Sequence, residues 1–153
     1  SFPVNLPASA YRLTTSKNKQ GNFIVDAVST DGGSHPRNVA IQSSMALVNF
    51  GALTPLEMVE KLSMNPAKML GLYNKGHFSG GADADVTVIN PRTNHPEMSL
   101  VNGKLIMYKG RVVGSGGTLL VTKAGERTAI ESGLNYQLTD ISDSKLYEGF
   151  TDY

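Results

Sequence analysis

Cysteine is absent from the 153 residues. That excludes a disulfide framework, a thiolate nucleophile and a cysteine-ligated zinc, and it is compatible with a reducing compartment. Neither sign of charge is in surplus: 14 Lys and Arg against 13 Asp and Glu leave a formal charge of +1. A chain so balanced holds no reserve with which to bind a polyanion by counterion release, so nucleic acid is not an expected partner. Long apolar runs are also missing. The longest fall far below the roughly 20 residues of a membrane-spanning helix, and the polar start at residues 1–22 does not read as a signal peptide. The expectation is a soluble, cytoplasmic protein with no membrane partner. No G-x-S-x-G elbow or G-x-x-x-x-G-K-[ST] phosphate loop occurs, and no two histidines have the spacing of a self-contained metal site. Gly114-Ser115-Gly116-Gly117 lacks the strand-to-helix setting of a dinucleotide site and reads as a loop. The length also falls short of a closed eight-fold β/α barrel, which takes roughly 250 residues.

What is present is ordinary core-forming material, 40% hydrophobic and 18% charged, enough for about one domain. Residues 1–22, with Pro3, Pro7, Gly21 and a polar run at 14–20, predict irregular surface chain with at most one short strand. Residues 23–29 (FIVDAVS) are apolar, short and partly β-branched, which fits a buried strand of the parallel type. That strand runs into the polar turn Thr30-Asp31-Gly32-Gly33-Ser34-His35-Pro36. Val39, Ile41, Met45, Ala46 and Val48 then make the apolar face of a helix that Gly51 is placed to end. Thr54-Pro55-Leu56-Glu57 is a capping box with proline at the first helical position. It opens a second helix carrying Leu56, Met58, Val59 and Leu62, which Asn65-Pro66 should break before a short turn at 67–72 ended by Gly71 or Asn74. Met45, Met58, Met64 and Met69 fall on apolar helix faces and read as core.

From Gly76 the period changes to two. Residues 85–90 predict a strand stopped by Asn90-Pro91, Asn102-Gly103 marks a type I′ hairpin, Lys109-Gly110 marks a second tight turn, and residues 118–122 are a further candidate strand. Residues 124–153 form an acidic tail with interspersed aromatic and aliphatic side chains. The expected division is 1–75, 76–122 and 123–153.

Chemistry centres on Asp31. A carboxylate just past a buried strand, followed by Gly32 and Gly33 that allow close approach, is where α/β proteins present ligand and catalytic groups. An ordinary Asp-Gly-Gly turn, with the carboxylate capping its own backbone, has the same sequence. His35 in the same loop can touch substrate, bind a metal or act as acid or base, or it can simply start the helix. His77 and His95 read as surface residues in loops. Asp83 and Asp85 alternate at a strand entry and so project to one side, able to chelate a cation or to sit as solvated turn carboxylates.

Three linked stretches resemble the C-terminal part of the metal-dependent amidohydrolase superfamily: Val25-Asp26-Ala27-Val28-Ser29-Thr30-Asp31; the helical segment from Leu53-Thr54-Pro55 to Asn65-Pro66-Ala67-Lys68-Met69-Leu70-Gly71-Leu72; and Lys75-Gly76 through Gly81-Ala82-Asp83-Ala84-Asp85-Val86. Their order and spacing are similar to those of dihydroorotase, dihydropyrimidinase and isoaspartyl-dipeptidase-like enzymes over about residues 21–114. The resemblance implies an α/β fold, the last strand and helices of a TIM-like barrel followed by part of a small β-sandwich, and incomplete as an isolated chain. It implies that Asp31 is the strand-eight aspartate, which ligates a divalent metal, zinc being the expected ion in a site of one or two. The same residue would move a proton from water to the leaving group. Gly32, Gly33 and His35 fall at the substrate side. Dihydroorotases and hydantoinases usually place His directly after this aspartate; Gly32-Gly33 here is nearer to the dipeptidase and deacetylase branches. By the same resemblance Asp83 and Asp85 are structural. The family's first-strand His-x-His, its bridging carboxylated lysine or glutamate and its two later histidines have no counterpart. The implied partners are an N-terminal portion of the same enzyme as a separate chain, a small-molecule substrate and further copies in a homo-oligomer. Without that portion, residues 23–72 should be unstable. The rival readings are a non-catalytic scaffold or interaction module derived from such an enzyme, and a deaminase of the same superfamily.

Overall fold

The computed structural model describes residues 7–29 and 39–144, and the chain divides into two units, residues 1–62 and 63–153. In the first unit, Pro7–Thr15 forms helix α1, where the sequence predicts irregular chain. Proline is tolerated at a first helical position, since the N–H it lacks would be unpaired there anyway, and Ala8, Ala10, Arg12 and Leu13 are good helix formers. The chain then turns on Asn18, whose Oδ1 accepts from the N–H groups of Gln20 and Asn22 at 3.0 and 2.9 Å. Lys17 and Phe23 meet in one antiparallel bridge.

Residues 23–29 are not the predicted parallel strand. Beyond the Lys17–Phe23 bridge and the bond from the Ile24 N–H to the Ser16 carbonyl at 3.2 Å, they run without a ladder, because a parallel strand exists only between neighbours that take up its backbone groups, and no strand among the described residues pairs with them in parallel. A helix does part of that work instead: the Val28 N–H donates to the carbonyl of Lys61 at 3.1 Å.

Helix α2, Ala40–Asn49, ends as expected at Gly51, with φ of 70°. The Gly51 N–H reaches Val48 O and the Ala52 N–H reaches Leu47 O, both at 2.9 Å, the paired bonds of a Schellman motif. Helix α3, Pro55–Val59, carries the predicted capping box in full: Thr54 Oγ1 accepts from the Glu57 N–H at 3.2 Å and Glu57 Oε2 accepts from the Thr54 N–H at 2.7 Å. Met45, Leu53 and Met58 are the buried apolar residues among those described in this unit.

Asn65-Pro66 does not break the helix as predicted. A π turn over Glu60–Met64 follows α3, and helix α4, Asn65–Met69, follows the turn, with helical dihedrals at both junctions, Glu60 and Met64. A turn in the i→i+5 register would pair the Lys61 carbonyl with residue 66, which is proline and has no N–H. The widened turn ends there, and that carbonyl is the one Val28 takes up. Of the four helix methionines, Met45 and Met58 are buried, whereas Met64 and Met69 are half-buried.

In the second unit, α4 closes at Gly71 (φ 67°) by the same pair of bonds, to Lys68 O and Ala67 O. A Cβ there would lie 2.9 Å from that of Asp143, so both space and dihedral require glycine. Strands β1 (Val86–Asn90), β2 (His95–Val101), β3 (Lys104–Tyr108) and β4 (Arg111–Val112) form an antiparallel sheet in sequence order. The Asn102-Gly103 turn has φ of 49° and 73°, and Lys109-Gly110 has 48° and 76°, the paired positive values of type I′ turns. Strand β2 begins earlier than its sequence reads. His95 pairs with Asn90, and Pro96 sits beside a bulge at Val88/Ile89, where a missing donor is tolerated. His95 is therefore a strand residue and not a loop one.

The candidate strand at 118–122 is β5, Leu119–Val121, but it does not join that sheet. It pairs in parallel with β6, Tyr136–Leu138, in register Leu119 to Tyr136. Between them run a 3-10 turn, Lys123–Gly125, and helix α5, Glu126–Ser132, so the start of the acidic tail joins β5 in a small βαβ unit. It is stitched to the α4 exit: Thr139 Oγ1 donates to Leu70 O at 2.5 Å, Gln137 Nε2 to Asn74 Oδ1 at 3.2 Å, and the Tyr73 hydroxyl to the carbonyl of Asp143. Ala67, Leu72 and Ala129 are the buried apolar residues of the second unit among those described. The architecture is mixed α/β, with no closed barrel among the described residues.

Candidate functional site

Asp31, Gly32, Gly33 and His35 lie outside the described residues. The segment leading to them does not. Residues 25–28 are half-buried, and Lys61 holds them from the π turn. Its ammonium donates to the carbonyl of Val25 while its own carbonyl accepts from the Val28 N–H. Lys61 is 2% exposed. An ammonium so placed needs compensation, and the Phe23 ring provides part of it, with its centroid 3.8 Å from Lys61 Nζ and 4.4 Å from that of Lys17. Burial pushes the Lys61 pKa below its ordinary value, against the opposing pull of the Asp26 and Glu57 charges. Lys17 is in turn bound to Glu57 Oε1 at 2.8 Å. That contact, followed by the capping bond to Thr54, holds the Glu57 carboxyl down to about 2.

Lys61 was not among the residues that sequence reasoning singled out. Its signal was available: it stands three positions after Met58 and beside Leu62, on the stripe that an amphipathic helix buries.

The second constellation is Asp83 and Asp85. Both carboxylates do project to one side, and the cation they hold is a lysine of this chain. Lys75 Nζ lies 2.7 Å from Asp83 Oδ2 and 2.6 Å from Asp85 Oδ2. Asp83 also accepts from Asn74 Nδ2 at 2.9 Å, and Asp85 Oδ1 accepts from the Asn102 N–H at 2.8 Å. They are neither simply solvated nor free to chelate. Burial pushes Lys75 down, but its two carboxylate partners outweigh this and raise it. Burial raises Asp85, and the bonds from Lys75 and Asn102 more than reverse that. The cluster locks the α4–β1 connection to the β2–β3 turn.

His77 is half-buried: Nε2 donates to Tyr73 O at 2.8 Å and Nδ1 accepts from the Ser79 N–H at 3.2 Å. Both ring nitrogens are thus engaged in its own loop. Among the described residues no three His, Asp or Glu side chains converge as metal ligands, so these residues do not by themselves furnish a metal centre. No helix among them is long and apolar enough to cross a membrane.

Comparison with known proteins places this geometry in context. Residues 16–115 match the Amidohydrolase family. A dihydroorotase of Pelotomaculum thermopropionicum is 50% identical over 50 residues, covering 33% of this chain and 12% of that protein. One of Syntrophus aciditrophicus is 52% identical over 52 residues, covering 34% and 12%. One of Geotalea daltonii is 34% identical over 85 residues, covering 44% and 20%. Among solved structures, one of D-hydantoinase has 23% sequence identity and a TM-score of 0.44, covering 56% of this chain and 24% of that one. The chain thus spans about an eighth of the length of the first two relatives.

Proposed function

The chain belongs to the amidohydrolase family, and from that premise we propose that it is the C-terminal section of a metal-dependent hydrolase of amide and related C–N bonds. The observation that carries this reading is that the family match at 16–115 encloses both the Asp31 loop and the Lys75–Asp83–Asp85 lock. The relatives named dihydroorotase support a cyclic amide as substrate, despite Gly32-Gly33 where those enzymes usually carry histidine. In this reading the barrel is completed by an N-terminal portion, as part of the same enzyme or as a separate chain, and that portion supplies the remaining metal ligands.

Asp31 is the residue this chain contributes to the chemistry. Its carboxylate takes a proton from the attacking water and returns it to the departing nitrogen, which leaves as an amine while the carbonyl carbon gains the water oxygen. A divalent ion, zinc in this reading, supplies when bound a polarised carbonyl and an acidified water. By the same family resemblance, Gly32, Gly33 and His35 are assigned to the substrate side.

In the full-length protein, Asp31→Asn is expected to lower kcat on a cyclic or linear amide by about 100-fold or more. Undiminished turnover removes the assignment. Metal analysis of the same preparation separates the enzyme from a scaffold derived from it: the enzyme carries stoichiometric metal and the scaffold none.

A further inference from the structure

Lys61 makes two bonds to one short stretch of chain, and they come from opposite ends of the residue. The ammonium takes the Val25 carbonyl, and the backbone carbonyl takes the Val28 N–H at 3.1 Å. Val25 and Val28 are three residues apart, so the lysine grips both ends of the segment that feeds the Asp31 loop. Neither bond is accidental to the helix. The carbonyl is available because the residue five positions on is Pro66, and the ammonium is carried inward because Lys61 occupies a buried stripe, 2% exposed, over the Phe23 ring.

A buried ammonium is costly unless it is paired. A methionine or leucine would fill the same space without that cost, yet would leave the Val25 carbonyl without its donor. We propose that Lys61 is a positioning residue: its ammonium and carbonyl fix the register of residues 25–28 and so the point from which the chain delivers Asp31. This rests on the reading of Asp31 given above, and the grip itself is testable apart from it.

The full-length protein carrying Lys61→Met keeps an unbranched stem and loses the donor. Amide hydrogen exchange read by mass spectrometry should accelerate about tenfold or more over residues 23–29 while residues 95–108 exchange as before. Lys61→Arg, which retains a charged donor, should restore most of the protection. Turnover of Lys61→Met should fall about 10- to 100-fold in kcat with KM moving less than about threefold, the signature of a misplaced group and not of lost substrate contact. Unchanged exchange over 23–29 overturns the proposal, and so does raised exchange with undiminished kcat. Loss of protection in both regions assigns Lys61 to general packing and overturns it as well. A silent Asp31→Asn, with 23–29 loosened in Lys61→Met, sinks the catalytic reading and leaves the grip standing; an inactive Asp31→Asn with normal exchange in Lys61→Met does the reverse.

Discussion

Lys75 shows how much a single side chain organises here. Three hydrogen-bonding groups converge on Asp83 and Asp85, and Lys75 is common to both carboxylates at 2.7 and 2.6 Å. Replacing it by methionine leaves two part-buried carboxylates facing one another, and the loss of charge-assisted bonds should cost about 2 kcal/mol in denaturant unfolding at neutral pH. The pH dependence has a definite sign. Asp85 is held below its ordinary 3.8, so its contribution is complete above that value and is lost as the pH falls through the lowered one. Lys75 is held above its ordinary 10.5, so its contribution persists up to that value and is lost as the pH climbs through the raised one. The stability gap between the native protein and Lys75→Met should therefore be flat between these limits and shrink at both ends; a gap that stays constant in acid contradicts the lock. Alternation at a strand entry was enough to read that the two aspartates share a side. Their partner was not readable, because a lysine eight residues upstream reaches them only after the intervening loop has folded.

At the scale of elements, the start of α3 depends on Thr54 and Glu57 satisfying one another's backbone. Thr54→Ala should destabilise by about 1 kcal/mol in thermal or chemical unfolding. Glu57 adds an acid dependence. Its carboxyl is lowered from 4.5 to about 2, chiefly by Lys17, so its contribution is whole above 4.5 and disappears as the pH falls toward 2. Glu57→Gln should match the native protein more closely at pH 2 than at pH 6, measured by urea midpoint, and an equal difference at both would remove the charge from the account. This capping box, the Gly51 ending, the type I′ turn at Asn102-Gly103 and the tight turn at Lys109-Gly110 were legible in the sequence, with Gly71 one of two candidate endings, because each is decided within about six residues. The misreadings are of two kinds. Pro7 and Pro66 each suggested a break, but one sits at a helix start and the other follows a π turn, positions where a missing N–H is harmless. Residues 23–29 looked like a strand because their composition is that of one, whereas a ladder needs neighbours that composition does not reveal. The pairing of β5 with β6 across α5 was hidden likewise behind the acidic character of the tail. Asp31, on which the functional reading turns, was found from its place after that apolar segment and lies outside the described residues.

For the whole molecule, the burial is thin. Six apolar side chains among the described residues are buried, and none of the large ones is fully inaccessible. Phe50 of the α2 ending is 85% exposed and Leu56 of α3 is 66% exposed, both shortly before Lys61 in the chain. On the proposed reading the remainder of the enzyme covers such surface. The 153-residue chain alone should then bind a hydrophobic dye and associate with itself in native mass spectrometry, and co-expression with the N-terminal portion should give a complex and abolish the dye signal. A folded monomer that binds no dye counts against the two-piece reading. The match to the family ends at residue 115, yet Gln137, Thr139 and Asp143 beyond it are bonded to Asn74, Leu70 and Tyr73 within it. A gene trimmed at the homology boundary would cut those stitches, and the loop carrying Lys75 to its two aspartates would be the first place to unravel.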